Sequence, residues 1–226
     1  SDVYKRQSQE ESFKIINELK IKLDNDDLGK TFFSLLKDGI NGLRLIDLSD
    51  IKNNSYVVVT ELPYENGDDN FRPDITILIN EMPLSFVEVK RQNNREGILV
   101  ERERMTRRFS NRIYRRYVNI TQYTVFSNNN EYDDTDIEPI QGAFYASSNY
   151  GKMFFSKFRE QRKEELSRSL LPIDDETELF ILKDTNLLSI KGTPEYKSSI
   201  SEDSPTNRIV TSLYTKERIM FLLQYG

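Results

Sequence analysis

The feature that most constrains this chain is a pair of apolar segments between residues 73 and 90, joined by the polar sequence Asn80-Glu81-Met82-Pro83. Both segments are rich in β-branched and aromatic residues, which favour strands. The apolar residues are Ile75, Ile77, Ile79, Leu84, Phe86, Val87 and Val89. The sequence therefore predicts two core strands connected by a tight turn.

Three charged residues, Asp74, Glu88 and Lys90, stand at the ends of these predicted strands. Charged side chains are rarely buried unless they are paired or bind a metal. Because side chains alternate along a strand, Glu88 and Lys90 point to the same face, roughly 6–7 Å apart along the backbone. An antiparallel neighbouring strand would bring Asp74 beside Glu88. The three residues predict a site for a hard cation such as Mg²⁺, beside a lysine that orients water or stabilises charge.

The Glu-x-Lys pattern alone is weakly informative, because 31% of the residues in this chain are charged. The pattern also occurs at Glu18–Lys20 and at Glu195–Lys197. Only the copy at Glu88 lies in a strand-like apolar run that follows a Pro-Asp pair. The alternative interpretation is a surface hairpin with a cross-strand pair between a glutamate and a lysine.

The chain contains no histidine and no cysteine. These absences exclude a disulfide framework, zinc sites built from these residues, and catalysis by Ser-His or Cys-His pairs. An enzyme of this composition has to use carboxylates, lysines, hydroxyls or a bound metal, which favours metal–carboxylate chemistry. The lack of cysteine suits a reducing cytoplasm, and no apolar run is long enough to span a bilayer. The sequence therefore predicts a cytoplasmic protein without a membrane partner.

The remaining periodicity predicts an α/β chain with a mixed sheet and three parts. Residues 1–7 are expected to be a disordered tail, residues 8–170 a domain of helices and strands, and residues 171–226 a helical extension. A strand–helix–strand order across residues 84–127 predicts a parallel pair of strands. The other predicted elements are helices at 8–23, 28–37, 154–166 and 208–225, a helix after Pro172, strands at 56–62 and 142–147, a loop at 65–70, and a connector at 189–206.

Basic residues greatly outnumber acidic ones between residues 90 and 118. Four arginines recur on one stripe of a helix predicted there, next to an apolar stripe. An arginine row that leads out of a phosphodiester-type site is well placed to hold a phosphate backbone. The alternative is a solvated helix face with pairs such as Glu101 with Arg104 or Arg108. The arginines of the row are Arg104, Arg108, Arg112 and Arg115.

The run Arg72-Pro73-Asp74-Ile75 followed by Phe86-Val87-Glu88-Val89-Lys90 resembles the PD-(D/E)xK nuclease superfamily. With Asn93–Gly97 and the closing segment at residues 204–218, the chain more narrowly resembles the amino-terminal nuclease domain of the R subunit of type I restriction enzymes. The resemblance extends over the chain from Ser8 onward, and its specific motifs lie in residues 72–97.

This resemblance implies a restriction-endonuclease-like core, a mixed β-sheet flanked by helices, in which residues 171–226 lead toward an ATP-driven motor. It implies cleavage of double-stranded DNA with Mg²⁺, or Mn²⁺ as a substitute, with Asp74 and Glu88 as metal ligands and Lys90 as the catalytic lysine. The implied partners are DNA and the methylation and specificity subunits that choose the site. ATP is expected only in the parent motor, because no Gly-Lys-Ser/Thr follows a glycine-rich loop here.

One motif of the related nucleases is missing. They carry Gln-x-x-x-Tyr on the helix after the lysine strand, whereas that helix here reads Glu101-Arg102-Glu103-Arg104-Met105. We predict that arginines position the DNA instead. The predicted DNA-binding residues are Arg91, Arg95, Arg104 and Arg108.

Two other functions fit the same sequence. The first is a DNA repair or junction nuclease with the same core. The second is a non-catalytic module for nucleic-acid binding or docking, in which the acidic residues are structural. In that case replacing Asp74 with alanine would leave metal binding and DNA cleavage unchanged.

Overall fold

A computed structural model describes residues 9–66, 69–94, 97–132, 135, 141–149, 152–157 and 172–225 of the 226-residue chain. Within these residues the strands form one large sheet and one separate hairpin. The strands are β1 (Tyr56–Thr60), β2 (Tyr64–Asn66), β3 (Asp69–Phe71), β4 (Ile75–Ile79), β5 (Met82–Val89), β6 (Tyr123–Ser127), β7 (Ala143–Asn149) and β8 (Lys152–Lys157).

Helices flank the sheet. Short 3-10 turns also occur at Ile51–Asn53, Arg112–Tyr114 and Leu188–Ile190. The α-helices are α1 (Gln9–Lys22), α2 (Lys30–Asp38), α3 (Gly97–Ser110), α4 (Arg115–Ile120), α5 (Asp175–Asp184), α6 (Pro194–Ser199), α7 (Pro205–Tyr214) and α8 (Lys216–Tyr225). None of the helices in these described ranges is long and apolar enough to span a membrane.

The large sheet has six strands in the order β1-β4-β5-β6-β7-β8. Strands β5 and β6 are parallel, and the other neighbours are antiparallel. The parallel pair requires a crossover, which α3 and α4 supply between β5 and β6. The predicted mixed sheet flanked by helices, with helices at the C-terminal end, is confirmed.

The turn between β4 and β5 is tighter than the four residues that the sequence indicates. It consists of Asn80 and Glu81, whose φ angles are 48° and 68°. Two consecutive positive φ angles characterise the type I′ turn, whose twist matches that of the paired strands. The Asn80 side chain supports the turn by accepting the Ser55 N–H at 2.8 Å and donating to the Leu45 carbonyl at 2.9 Å. The turn therefore fixes where pairing of the two strands begins.

Apolar side chains pack on both faces of the sheet. On one face α3, α4 and β3 cover the sheet, and on the other face α7 covers it. A third cluster joins α1, α2 and α8 to one end of β4 and β5. The central residues are Phe71, Phe86, Met105 and Tyr117 in the first cluster, Val87, Val125, Ile209 and Leu213 in the second, and Phe32, Leu36, Leu84 and Leu223 in the third.

Helices α7 and α8 are therefore part of the same packed body as the sheet. Ile209 is 1% exposed and Leu223 is 1% exposed, both through contacts with the clusters described above. The predicted domain boundary between residues 170 and 171 lies outside the described residues, and so does the tail at residues 1–7. The predicted division into three parts stays a prediction.

Several element predictions were wrong in type or extent. The loop predicted at 65–70 overlaps strands β2 and β3, which pair with each other. The helix predicted at 154–166 begins as strand β8, which pairs with β7, and its remainder lies outside the described residues. The connector predicted at 189–206 contains α6. The helix predicted at 208–225 is two helices, because the backbone at Thr215 is extended, with ψ at 145°.

The loop before β1 is organised by one carboxylate, Asp47. Its oxygens accept hydrogen bonds from the Ser49 hydroxyl at 2.6 Å, the Asn53 amide at 2.8 Å, the Asp50 N–H at 3.0 Å and the Ser49 N–H at 2.9 Å. The Ser49 hydroxyl first, then Asn53 and the Asp50 N–H, hold the pKa of Asp47 well below its ordinary value. The ionised carboxylate is therefore a structural part of this loop.

Replacing Asp47 with alanine is expected to lower the free energy of unfolding at pH 7 by about 0.5–1.5 kcal/mol, the usual net contribution of a hydrogen bond, because this carboxylate is partly exposed. Because folding depresses the pKa, this contribution is present above the unfolded pKa of about 3.9 and lost as pH falls below it. Urea unfolding at pH 7, 5 and 3.5 should show a difference from wild type that shrinks only at the lowest pH. Asp38→Ala, at an exposed acid, is the control. A constant difference at all three pH values would contradict the assignment.

Candidate active site

Strands β4 and β5 bring Asp74 and Glu88 to one end of the hairpin, and a β-bulge sets their register. Pairing begins with Ile79 opposite Met82 and ends with Ile75 opposite Val87, with an irregularity between Ile77 and Leu78. The bulge adds one residue to β5, so the register is shifted by one position beyond it. A shift of one residue changes the face of the sheet to which each side chain beyond it points. Continued by one position, the shifted register sets Asp74 opposite Glu88, as predicted.

Asp74 is also held by the backbone of β5. Its Oδ2 accepts a hydrogen bond from the Val89 N–H at 2.7 Å. Its own carbonyl accepts a hydrogen bond from the Glu61 N–H at 3.0 Å. Asp74 is thus tied to the strands on both sides of β4, although it precedes the first residue of β4. Its carboxylate is therefore fixed beside the C-terminal end of β5.

Glu88 and Lys90 lie on the same face of β5, as predicted from their spacing. The Lys90 Nζ lies 3.2 Å from the Glu88 Oε2. The Lys90 N–H donates to the Ser127 carbonyl of β6 at 2.7 Å, which continues the parallel pairing past the end of β5. Glu88 is only 4% exposed. This end of the sheet therefore buries a carboxylate with an ammonium beside it.

Burial raises the pKa of Glu88 to about 8, with repulsion from Asp74 as the second cause and from Glu101 as a smaller one. The Lys90 ammonium opposes this shift. A divalent cation between Asp74 and Glu88 would offset both the burial and the repulsion. Two adjacent carboxylates are also the oxygen ligands that Mg²⁺ prefers. The donor set therefore fits a hard divalent cation, which Asp74 and Glu88 would hold.

The pKa of Lys90 is shifted in the opposite sense to what burial alone would give. Burial lowers it, but the carboxylates of Glu88 and Glu101 outweigh burial and raise the pKa above its ordinary value. Lys90 is therefore an ammonium at neutral pH. Its Nζ stands between the two carboxylates, 3.2 Å from Glu88 and 3.1 Å from Glu101.

Glu101, on α3, is the residue of this site that the sequence analysis did not identify. It is 1% exposed, and its Oε2 lies 3.1 Å from the Lys90 Nζ and 3.0 Å from an Arg104 nitrogen. Its Oε1 faces an Arg108 nitrogen at 3.6 Å. The sequence signal was its position on the buried stripe of α3, three residues after Ile98 and four before Met105. A charged glutamate on an apolar stripe needs cationic partners or a metal ion.

The predicted DNA-binding arginines fall into different environments. Arg104 and Arg108 both contact Glu101, so the structure brings them next to Lys90. The Arg104 side chain is about half exposed, whereas that of Arg108 is largely buried and its guanidinium lies 4.1 Å from the centre of the Phe71 ring. Arg91 is exposed directly after the site. Arg95 lies outside the described residues.

The prediction that four arginines form a row on one helix was wrong for Arg112 and Arg115. Helix α3 ends at Ser110, and the side chain of Asn111 accepts the Ile113 N–H to start a separate 3-10 turn. Arg115 then forms ion pairs with Asp24 at 3.0 Å and Asp26 at 2.9 Å. Arg112 lies 3.5 Å from Asp26. These two arginines fasten α4 to the connection between α1 and α2 instead of joining the candidate site.

In the part of the chain that the structure describes, no group of three or more acidic side chains has the arrangement of a metal site. The cation site considered above consists of the pair formed by Asp74 and Glu88. Glu101 is near this pair, but its oxygens face basic side chains.

Comparison with known proteins identifies the family of this chain. No curated protein matches the chain. The sequence model of one family, described as "Type I restriction enzyme R protein N terminus", matches residues 2–135, more than half of the chain. The matched residues include the whole β4–β5 hairpin and α3, hence all the site residues described above. The chain therefore belongs to the family of type I restriction enzyme R protein N termini.

Proposed function

We propose that this chain is a Mg²⁺-dependent nuclease domain that hydrolyses phosphodiester bonds of double-stranded DNA in a type I restriction enzyme. The observation that carries the proposal is the convergence of Asp74, Glu88 and Lys90 at one end of the β4–β5 hairpin. Two carboxylates and an ammonium on one surface match the needs of phosphodiester hydrolysis, in which a phosphate must be held and negative charge stabilised.

Asp74 and Glu88 are the residues that would hold Mg²⁺, or Mn²⁺ in its place. When bound, such an ion supplies Lewis-acid polarisation of the phosphate and lowers the pKa of water. The role of Asp74 depends on the hydrogen bond that its Oδ2 accepts from the Val89 N–H. This bond fixes the orientation of the carboxylate beside Glu88. Glu88 supplies a second oxygen from the buried face of β5.

Lys90 is assigned to charge stabilisation and to orientation of the attacking water. Its ammonium is a donor with three hydrogens, of which two are directed at Glu88 and Glu101 in this arrangement. The remaining donor can reach a phosphate oxygen or the water. In the reaction the water oxygen bonds to phosphorus, one backbone phosphorus–oxygen bond breaks, the water loses a proton to solvent and the leaving oxygen gains one.

The wider assignment follows the family. We assign the phosphate-binding role to Arg91, Arg95, Arg104 and Arg108, and the choice of DNA site to the methylation and specificity subunits of the restriction complex. ATP is assigned to the motor of the parent protein, and the whole complex to the cytoplasm. Family membership favours this restriction context over a repair or junction nuclease with the same core.

The first test is calorimetric titration of the chain with Mn²⁺ and with Mg²⁺. We expect one class of site in the wild type and its loss in Asp74→Ala and in Glu88→Ala, because each removes one of two ligands. Glu103→Ala, at an exposed acid of α3, should bind as the wild type does. Circular dichroism should show that all variants are folded.

Titrations are repeated with a DNA duplex present, since phosphate oxygens commonly complete a Mg²⁺ site. If both site variants bind the ion as tightly as the wild type under both conditions, the metal assignment is wrong. That outcome would support the alternative of a docking module with structural acids.

A further inference from the structure

We propose that Glu101 is a positioning residue for Lys90, and that Arg108 and Phe71 hold Glu101 in place. The inference rests on the proposed nuclease function, because it assumes that Lys90 acts on the scissile phosphate. It assigns a role to the buried carboxylate of α3 and to the β2–β3 hairpin, neither of which belongs to the Asp74–Glu88–Lys90 group.

Lys90 needs a second anchor because its side chain is a flexible four-carbon stem with a single charge at the end. Of its two carboxylate partners, Glu88 is the residue assigned to the metal. A carboxylate that shares its charge with a cation attracts a neighbouring ammonium less strongly. Glu101, 3.1 Å from the Lys90 Nζ, is the carboxylate partner of Lys90 that is not assigned to the metal. Its buried position on α3 fixes the direction in which the ammonium points.

The contacts of Glu101 distinguish it from a third metal ligand. Its Oε2 is shared by the Lys90 ammonium and the Arg104 guanidinium, and its Oε1 faces Arg108. Within the described residues the Oε1 makes no hydrogen bond, and it lies 3.6 Å from Arg108. Three cationic groups therefore surround this carboxylate, and they would repel a divalent cation. Its geometry suits the holding of basic side chains.

Arg108 is the residue that connects Glu101 to the protein interior. Its guanidinium lies over the Phe71 ring at 4.1 Å, a distance at which the ring face attracts a cation. Phe71 is 2% exposed and packs edge-to-face against Phe86 and Tyr117. The hairpin that ends at Phe71 therefore supports Arg108, which supports Glu101, which holds Lys90.

Arg104 differs from Arg108 in this arrangement. Its side chain is about half exposed, so it can turn to a phosphate while Arg108 keeps its contact with Glu101. This inference narrows the phosphate-binding assignment made above: of the two arginines, Arg104 contacts DNA, and Arg108 supports Glu101 instead. Replacement of Arg104 should weaken DNA binding in a salt-dependent way, because a phosphate contact contributes through counterion release.

The decisive experiment is a double-mutant cycle on the single-turnover rate of DNA cleavage by the assembled restriction complex. We expect Glu101→Gln to lower the rate about 10- to 100-fold, the usual effect of an outer-shell partner. In the Lys90→Gln background, Glu101→Gln should lower the cleavage rate by no more than a further factor of about two. The reason is that Glu101 acts only through Lys90, so its effect disappears when the Lys90 ammonium is removed. Equal losses in both backgrounds would show a merely structural role and overturn the proposal.

A second measurement does not depend on cleavage. On the 226-residue chain, Glu101→Gln should bind Mn²⁺ as tightly as the matched variant Glu103→Gln does, because neither substitution removes a proposed ligand. A large loss of Mn²⁺ affinity would make Glu101 a ligand and overturn the positioning role. If Glu101→Gln does not fold, the same cycle and titration are made with Glu101→Gln/Arg108→Gln, which removes one anion together with one cation.

The outcomes separate this inference from the proposed function. If Lys90→Gln cleaves at the wild-type rate, the nuclease assignment of Lys90 fails and the positioning role fails with it. If Lys90→Gln is impaired but Glu101→Gln cleaves at the wild-type rate, only the positioning role is wrong. Arg108→Met tests whether Arg108 holds Glu101 in place. We expect a loss of cleavage rate comparable to that of Glu101→Gln, with unchanged Mn²⁺ affinity.

Discussion

Replacing Lys90 with glutamine is expected to lower the single-turnover rate of DNA cleavage by the assembled restriction complex by about a hundred- to a thousand-fold. Glutamine fills nearly the same space but removes the ammonium that stands between Glu88 and Glu101. A charge in a site of low water content stabilises developing negative charge far more than it would in bulk water. Its removal therefore raises the barrier, and the arrangement of the backbone is retained.

The measurement uses supercoiled plasmid DNA with excess enzyme, so that the rate reports the cleavage step. ATP hydrolysis by the motor and DNA affinity should both stay near their wild-type values, because Lys90 is assigned to chemistry only. Lys52→Gln, at an exposed lysine within the 3-10 turn Ile51–Asn53, should cleave normally. Lys90→Arg keeps the charge, but its longer planar guanidinium should restore only part of the rate. Cleavage by Lys90→Gln at the wild-type rate would remove Lys90 from the reaction.

Most of the candidate site could be predicted from the sequence because its residues obey local rules. Alternation along a strand puts Glu88 and Lys90 on one face whatever the rest of the chain does. A tight turn with asparagine makes the two strands antiparallel neighbours. The juxtaposition of Asp74 with Glu88 was predicted without the bulge between Ile77 and Leu78, which the structure shows to set that register. Pro83, directly at the register shift, is the local signal of the bulge that the sequence analysis did not use, since proline in a central strand is confined to the strand start or to bulges.

Glu101 was missed because its environment is made by residues distant in sequence. On a helix rich in charge, a glutamate near two arginines is usually a solvated partner of its own helix. The ion pair with Arg104 that this view anticipates is present. Burial of Glu101 depends on the approach of Lys90 from β5 and of Phe71 beside Arg108, which the pattern within α3 does not encode.

The errors in secondary structure have the same origin. Strands β2 and β3 have three residues each, too few to show a period, and Phe71 is buried by contacts with β5 and α4. Strand β8 carries the aromatic residues that also fit a helix stripe, and its identity is decided by pairing with β7. The split of the last predicted helix at Thr215 lets α7 cover the sheet while α8 packs with α1 and α2.

Replacing Glu88 with glutamine is expected to stabilise the metal-free chain at alkaline pH, although it removes a proposed ligand. Folding raises the pKa of this carboxyl from 4.5 to about 8, first through burial and then through Asp74. Between these values the folded state retains a proton that the unfolded state has lost, so stability falls as pH rises. The contribution is fully present below about pH 4.5 and is lost as pH rises through about 8.

Urea unfolding of both proteins at pH 5, 7 and 9 with a chelator present measures this effect. We expect the advantage of Glu88→Gln to be below about 1 kcal/mol at pH 5 and to reach about 2–5 kcal/mol at pH 9, since one pKa unit corresponds to about 1.4 kcal/mol. Glu103→Gln, at an exposed acid, should show no such growth. Mg²⁺ at a hundred times its dissociation constant should then stabilise the wild type by about 2.7 kcal/mol and leave Glu88→Gln unchanged.

A wild type that remains the more stable protein at pH 9 would mean that the Lys90 ammonium compensates the buried Glu88 anion, and that no cation is needed to hold it. If Glu88→Gln is the more stable protein at pH 9, the ionised Glu88 lowers the stability of the metal-free chain, as expected of a group arranged to bind a ligand. Such a cost is common at functional sites, because groups arranged for a ligand repel one another when it is absent. The sign of the difference at pH 9 therefore tests whether the Glu88 anion destabilises the metal-free chain, and the added stability in Mg²⁺ tests the metal assignment, both without any assay of DNA cleavage.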